Sequence, residues 1–147
     1  MTYVTSGDSL LFNIRRGEEL EDARWRLLSH LRNEIGASKI VEAMARVPRE
    51  AFVPEASAHL AYEDVPLPIG KNQTISQPYM VALMVSALEL RRTDKVMELG
   101  TGSGYQAAVL AELAESVFSI ERISSLADSA RRLLRQLRYR NICVCLA

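Results

Sequence analysis

Apolar residues recur at helical spacing near the N-terminus of the chain. Between residues 18 and 35 they fall on one side of a helix, with charged residues between them: Leu20, Trp25, Leu28, Leu31 and Ile35. This pattern predicts a helix that starts at Glu18 and ends at Gly36. A second helix is predicted from Ser38 to about Arg46, because Val47 precedes a proline and therefore disfavours helical backbone. Residues 1–17 show no clear period and are interpreted as a loose leader.

Proline residues then interrupt the pattern. All five lie between residues 48 and 78, which predicts a loop-rich middle section. A third helix is predicted to begin near Pro78, since proline is tolerated in the first turn of a helix. Either Ser76 or Gln77 would cap it. Its buried stripe is expected to consist of Met80, Leu83, Met84, Ala87 and Leu88.

After residue 92 short apolar runs alternate with helical patterns. Strands are predicted at 95–99, 117–120 and 141–146, and helices at 105–114 and 124–137. This alternation is typical of an α/β fold, a Rossmann-like parallel sheet with crossover helices. The chain is thus divided into the leader (1–17), a helical and loop region (18–92) and the first half of an α/β domain (93–147), incomplete at its C-terminus.

Composition narrows the possible functions. The chain has 147 residues, with 18 Lys and Arg against 18 Asp and Glu, so a nucleic-acid partner is not expected. No apolar run is long enough to span a bilayer and no secretory leader is recognised, so no membrane partner is expected either. Cys143 and Cys145 are interpreted as small buried residues on one face of a strand, which favours the cytoplasm. His30 and His59 have no neighbours at ligand spacing, and no metal is expected.

A glycine-rich loop follows the first strand of the α/β region. Glycines stand at 100, 102 and 104, whereas a dinucleotide-binding loop would need glycine at Tyr105. The observed E/D-x-G-x-G-x-G spacing is typical of S-adenosylmethionine sites. The predicted cofactor-binding residues here are Glu98, Gly100, Thr101, Gly102, Ser103, Gly104 and Tyr105. The alternative is a tight turn without a ligand.

An acidic residue ends the second strand. Glu121 lies 21 residues after Gly100, where a carboxylate in nucleoside-binding sheets accepts hydrogen bonds from ribose hydroxyls. Glu121 and the adjacent Arg122 are therefore also predicted to bind the cofactor. The alternative is that Glu121 merely pairs with Arg122 or another surface arginine.

Several segments together resemble the protein-L-isoaspartate O-methyltransferase family. The likeness covers about a hundred residues and is carried by Arg46–Pro54, Tyr62–Asp64, Leu67–Gly70, Val96–Leu113 and, most specifically, Gln73-Thr74-Ile75-Ser76-Gln77-Pro78. The resemblance implies the Rossmann-like S-adenosylmethionine-dependent methyltransferase fold. It also implies methyl transfer from S-adenosylmethionine to the α-carboxylate of L-isoaspartyl residues in damaged proteins, with S-adenosylhomocysteine as product.

The resemblance assigns roles to the segment at 73–78, which we call the covering segment. Ser76 is implied as the catalytic residue beside cofactor and substrate. Thr74, Ile75, Ser76 and Gln77 are implied to contact the cofactor, and Ser76, Gln77 and Pro78 the substrate. A plain helix N-cap is the alternative role for Ser76.

The chain also departs from the family pattern. Family members continue beyond the third strand with a Gly-Asp-Gly and further strands, whereas this sequence ends at Ala147. An unpaired sheet edge favours pairing, so a homo-oligomer is a further expectation. Two other functions stay open. One is a non-catalytic binding or assembly module that retains half of the fold, and the other is a methyltransferase for another carboxylate substrate.

Overall fold

The computed structural model describes the backbone of residues 6–36 and 38–147, and side chains within 17–36 and 39–147. The helices are α1 (Ser6–Ile35), α2 (Ser38–Arg46), α3 (Pro78–Ala87), α4 (Tyr105–Ala111) and α5 (Ser124–Gln136), with 3₁₀ turns at Arg49–Phe52 and Glu55–Leu60. The strands are β1 (Leu67–Gly70), β2 (Gln73–Ile75), β3 (Lys95–Leu99), β4 (Ser116–Glu121) and β5 (Ile142–Leu146).

The first helix is longer than its apolar pattern predicts. Helix α1 starts at Ser6, so the interpretation of residues 6–17 as a loose leader is wrong; residues 1–5 lie outside the described part. A glycine inside a helix costs only about 1 kcal/mol, so Gly17 does not end it. The predicted end is confirmed, because Gly36 adopts a positive φ of 59° and its N–H bonds to Arg32 O at 3.1 Å.

The middle section contains a hairpin that the sequence analysis did not predict. Strands β1 and β2 pair antiparallel, with Leu67 opposite Ile75. The turn uses positive φ at Gly70, Lys71 and Asn72. Two of these three residues are not glycine, which explains why the turn carried no clear sequence pattern.

Helix α3 begins where expected but buries a different face. Its buried residues are Pro78, Val81, Ala82 and Val85. The predicted stripe is wrong, since Met80, Leu83, Met84 and Leu88 are all at least 40% exposed. This helix is apolar on both sides, so periodicity could not choose between its faces. Of the two residues expected to cap the helix, Gln77 occupies the N-cap position, although its side chain makes no capping hydrogen bond.

The α/β region has the predicted parallel sheet. Its strand order is β3-β4-β5, with Val96 beside Val117 and Val117 beside Ile142. Helices α4 and α5 cover one face of the sheet. Most residues of α4 are buried, while α5 buries one side; the core residues of the two helices include Ala107, Ala108, Leu110, Ala127, Ala130 and Leu134. The expected fold class is thereby confirmed.

The opposite face of the sheet is exposed. Met97, Leu99 and Phe118 are 66%, 74% and 45% accessible to solvent. Cys143 and Cys145 lie on the same strand with their sulfur atoms 3.7 Å apart, as the two-residue spacing predicts. Both are exposed free thiols, so the expectation that they are buried is wrong. Their neighbour Val144 points to the helices instead.

Two structural features are absent from the described residues. They contain no helix with the length and apolar character that a bilayer crossing requires. They also contain no group of three or more His, Cys, Asp and Glu side chains arranged to hold a metal ion. The division of the chain at residue 92 into two functional regions stays a prediction.

Candidate functional site

The glycine loop joins the carboxyl end of β3 to the start of α4. Its three glycines have φ of 89°, 55° and 91°, a left-handed backbone that other residues rarely adopt. Two close approaches add to this requirement. A Cβ on Gly102 would lie 3.3 Å from Ile69 of the hairpin, and one on Gly104 would lie 3.3 Å from Leu134 of α5. The glycine spacing therefore shapes the loop and lets two other elements pack on it.

Glu121 fixes this loop from the neighbouring strand. One carboxylate oxygen accepts the Gly102 N–H at 2.8 Å and the other accepts the Ile123 N–H at 2.9 Å. The side chain is only 5% exposed, and no ion pair joins it to Arg122 or another arginine in the described part. The alternative of a surface ion pair is wrong. Each carboxylate oxygen retains a lone pair that a ligand hydroxyl could use.

A second buried carboxylate lies at the end of β3. Glu98 Oε2 accepts a hydrogen bond from Ser119 Oγ at 2.5 Å, and Ser119 Oγ lies 2.5 Å from Thr101 Oγ1. Burial raises the pKa of Glu98 to about 7, although hydrogen bonds from Ser119 and Gln106 oppose the rise. This carboxyl group therefore changes charge near neutral pH.

The covering segment lies across the loop from these carboxylates. Ile75 is buried at the end of β2, and Ser76 is exposed between β2 and α3. The Ser76 hydroxyl makes no hydrogen bond to the described residues. It lines a cavity of about 250 Å³ that also contains Glu98 and the glycine loop; we call this the first cavity. Its walls are Ile75, Ser76, Val81, Met84, Glu98, Leu99, Gly100, Thr101, Ser103, Tyr105 and Gln106.

A second cavity of about 250 Å³ adjoins the first and shares Leu99 and Gly100 with it. Its other walls are Gln73, Gly102, Ile120, Glu121, Arg122 and Ala147. Together the two cavities form an elongated cleft over the glycine loop. Glu98 lies in one half of the cleft and Glu121 in the other.

Most of the predicted site residues meet in this cleft, but four do not line it. Thr74 is exposed on the hairpin and Gln77 is half-buried, while Pro78 is fully buried in the core. Gly104 packs against α5 behind the loop. Any role of these four in binding stays a prediction, and the geometry favours an indirect one.

The cleft also includes polar residues that the sequence analysis missed. Gln106, the second residue of α4, lines the first cavity, and Gln73, which belongs to the covering segment but was given no contact, lines the second. Ser119 lines neither cavity and is buried behind them, between Glu98 and Thr101. Position relative to the glycine loop could have indicated Gln106. Nothing in the sequence alone distinguishes Ser119 from any other serine in a strand.

The chemistry of the cleft follows from its charges. A carboxylate in each half and neutral hydroxyls along the loop favour an elongated ligand with a positive charge and with hydroxyl groups. A phosphate group beside Glu98 would meet repulsion, whereas Glu121 suits the ribose of any nucleoside and Arg122 also lines the second cavity. The case against a dinucleotide therefore rests mainly on the glycine spacing.

Comparison with known proteins gives the family. A sequence profile of the protein-L-isoaspartate(D-aspartate) O-methyltransferase family matches residues 23–147. A protein-L-isoaspartate O-methyltransferase of Syntrophus aciditrophicus is 64% identical over 106 residues, which are 72% of this chain and 49% of that protein. One from Ignicoccus hospitalis is 55% identical over 130 residues, which are 85% of this chain and 62% of that protein.

A solved structure agrees with these sequence matches. A protein-L-isoaspartate O-methyltransferase structure superposes with a TM-score of 0.76 at 27% identity, over 84% of this chain and 42% of that chain. The chain spans about half to three-fifths of the length of the two relatives. With the glycine loop, the covering segment and the two carboxylates in one cleft, and a profile match over most of its length, the chain belongs to the protein-L-isoaspartate(D-aspartate) O-methyltransferase family.

Proposed function

We propose that this protein transfers a methyl group from S-adenosylmethionine to the α-carboxylate of L-isoaspartyl residues in damaged proteins. The observation that carries the proposal is the first cavity, which combines two segments from distant parts of the sequence. Ser76 of the covering segment and Gly100 of the glycine loop line the same small space beside Glu98. The covering segment is the most family-specific part of the sequence.

The residues present fit S-adenosylmethionine. The left-handed glycines keep the loop surface free of side chains, so that a ligand approaches the backbone closely. In the second cavity the Glu121 carboxylate offers acceptors for ribose hydroxyls, while its bonds to Gly102 and Ile123 hold it in place. In the first cavity ionised Glu98 would attract the α-ammonium group. We propose that Gly100, Thr101, Ser103 and Tyr105 complete the cofactor site.

The cofactor supplies an electrophilic methyl group on a sulfonium, and the protein's contribution is alignment. An isoaspartyl α-carboxylate is already ionised at neutral pH, so no strong base is required. The Ser76 hydroxyl would hold this carboxylate by a hydrogen bond, which fixes its direction of attack without removing its charge. Alignment of this kind lowers the activation free energy by several kcal/mol.

The substrate, the partners and the place of action are parts of the same proposal. Isoaspartyl-containing proteins are the substrate class that the names of the relatives state. Two free thiols support a reducing compartment, the cytoplasm. The sheet order leaves β3 and β5 each with one unpaired edge among the described residues, which supports self-association. That no nucleic acid takes part stays a prediction from the charge balance.

The first test is a calorimetric titration of the 147-residue chain with S-adenosylhomocysteine. We expect saturable binding, followed by methyl transfer to an isoaspartyl peptide and none to its aspartyl counterpart. Transfer to both peptides would favour another carboxylate substrate. A folded chain that binds no S-adenosylhomocysteine would contradict the proposal and favour the non-catalytic module.

The second test separates alignment from binding. Ser76→Ala is expected to lower the rate of methyl transfer roughly tenfold to a hundredfold, because the substrate carboxylate loses the hydrogen bond that orients it. Cofactor affinity is expected to change little. The matched control is Ser86→Ala on α3, whose hydroxyl bonds only to Leu83 O in its own helix at 2.8 Å. Equal turnover in Ser76→Ala and wild type would remove Ser76 from the site.

A further inference from the structure

Arg49 is the largest completely buried side chain among the described residues. Its accessibility is 0%, although arginine is seldom fully buried without an anionic partner. No ion pair of the described residues includes it. Arg49 lies in the Arg46–Pro54 segment that carries part of the family resemblance, and the proposed chemistry gives that segment no role.

The contacts of Arg49 join three elements of the site. Its Nε donates to Ala61 O at 2.8 Å, and its Nη2 donates to Ser76 O at 2.8 Å. The guanidinium carbon lies 4.7 Å from the centre of the Tyr105 ring. Tyr105 is the first residue of α4 and lines the first cavity. One cation therefore links the covering segment to the helix that follows the glycine loop.

These contacts offset the cost of burying the charge. Carbonyl acceptors and an aromatic face stabilise a guanidinium that has left water. Burial still lowers the pKa of Arg49 from its usual value, against the opposing influence of Tyr105 and Asp64. Nη1 is buried without a hydrogen-bond partner in the described part of the chain. The placement is thus not the one that stability alone would select.

A second contact lies three residues beyond Ser76, directly after the covering segment. Asp64 Oδ1 accepts the Tyr79 N–H at 2.8 Å, in the first turn of α3, where Gln77 provides no side-chain cap. Asp64 belongs to the Tyr62–Asp64 segment, which also resembles the family. Ser76 therefore lies in a stretch held at its own carbonyl by Arg49 and at Tyr79 by Asp64.

We propose that Arg49 is a positioning residue for Ser76, holding its backbone so that the hydroxyl faces the glycine loop, with Asp64 as a second anchor. The proposal has two parts. The effect of Arg49 on methyl transfer rests on the proposed function, whereas the fixation of residues 74–79 by Arg49 is independent of that function. Lysine could not reproduce the planar pair of donors that reach Ala61 and Ser76 together, so Arg49→Lys is expected to restore only part of the effect.

Hydrogen exchange tests the fixation in the 147-residue chain. In Arg49→Met, the amides of residues 74–77 and 79 are expected to exchange roughly tenfold to a hundredfold faster, because a charge-assisted bond to this segment is lost. Arg49→Lys is expected to lie in between. The matched control is Arg131→Met, which removes a similar arginine-to-carbonyl bond, Nε to Val144 O at 3.0 Å, far along the sheet.

Leu31→Ala, which truncates a buried side chain of α1, distinguishes a general loss of stability from a local effect on residues 74–79. If Leu31→Ala speeds exchange in 74–79 as much as Arg49→Met at equal thermal stability, Arg49 is merely structural and the proposal fails. If Arg49→Met does not fold, Arg49→Lys and Asp64→Asn decide in the same way. Unchanged exchange at 74–79 in both would also overturn it.

Kinetics test the consequence. With an isoaspartyl peptide, Arg49→Met is expected to lower kcat roughly tenfold to a hundredfold and to raise the Kd for S-adenosylhomocysteine by a smaller factor, because Arg49 also packs on Tyr105 of the proposed cofactor site. Arg131→Met should alter neither. A wild-type chain without transferase activity would contradict the proposed function, yet the exchange experiment would still confirm or overturn the fixation by Arg49.

Discussion

The two faces of the three-stranded sheet differ sharply although they share the same strands. On the face covered by α4 and α5, Val117 is 1% exposed and Val144 is 9% exposed. On the opposite face, Phe118 is 45% exposed and Met97 is 66% exposed. Parallel sheets are usually covered on both faces. In the described part of this chain, helices pack on one face of the sheet, and the other face is left largely exposed.

The candidate site depends on the covered face. Glu98, Ser119 and Glu121 all point to that side, near the carboxyl ends of their strands. Burial under the helices gives them short hydrogen bonds and raises the pKa of Glu98. On the exposed face, the side-chain contact found among the described residues is the one between the sulfur atoms of Cys143 and Cys145, at 3.7 Å. Strand residues alternate between the two faces, but the hydrogen-bonded carboxylates of the candidate site lie on the face from which the helices exclude water.

The largest expected effect concerns the buried carboxyl group. Glu98 has a pKa of about 7 in the folded chain against an ordinary value of 4.5, so the fold favours its neutral form. Its stabilising contribution is complete below pH 4.5 and is lost as pH rises to about 7. Glu98→Gln is permanently neutral. We therefore expect the variant to gain about 3 kcal/mol of unfolding free energy relative to wild type between these pH values.

Urea unfolding of both proteins from pH 4.5 to 8 measures this difference. Glu115→Gln is a suitable control, because it changes a solvent-exposed glutamate between α4 and β4. A constant difference between Glu98→Gln and wild type across the pH range would show that the carboxyl group is not neutral at pH 5–6. Water would then reach Glu98 on the covered face more easily than the packing indicates.

The next effect compares neighbouring residues on β4. Val117→Ala is expected to lower the unfolding free energy by roughly 1–3 kcal/mol, since it leaves a cavity beneath the helices. Phe118→Ala removes many more atoms but is expected to cost less than about 1 kcal/mol, because nearly half of the residue is in water already. Urea denaturation of the two variants gives the comparison directly. A larger loss for Phe118→Ala would show that the exposed face is packed in solution.

The smallest effect uses the thiols of the exposed face as reporters. Cys143 and Cys145 are expected to react with a disulfide reagent in the folded, dilute chain almost as readily as in the denatured chain. Cys145 raises the pKa of Cys143 by accepting or sharing a hydrogen bond with it. Because thiolate is the reactive form, Cys145→Ala should make Cys143 react slightly faster below pH 9.

Chain concentration turns the same labelling into a test of self-association. Slower reaction at high concentration would show that copies cover the exposed face, whereas the homo-oligomer expected through the unpaired sheet edge is tested by the size of the particle at the same concentrations. A rate independent of concentration, together with a monodisperse monomer, would contradict that expectation. Protected thiols in the dilute chain would contradict the exposed face itself.

Local chemistry made much of this protein predictable. The spacing of Gly100, Gly102 and Gly104 predicted the loop because only glycine adopts positive φ at low cost. Glu121 was predicted from its place at a strand end, and the sheet from the alternation of strand and helix patterns. Pro78 located the start of α3 within one residue. These features depend on backbone conformation, which neighbouring residues largely determine.

Tertiary structure decided what no local pattern records. The buried face of α3, the exposure of Cys143 and the complete burial of Arg49 each depend on which distant element packs there. A helix that is apolar on both sides can bury either face, and a cysteine on a strand is buried only if another element covers it. An arginine is buried only where acceptors such as backbone carbonyls can bind its donors. The sequence by itself determined the start of α3, the succession of strands and helices in the α/β region, and the glycine loop. Burial, and with it the placement of Ser76 by Arg49, came from contacts between residues far apart in the chain.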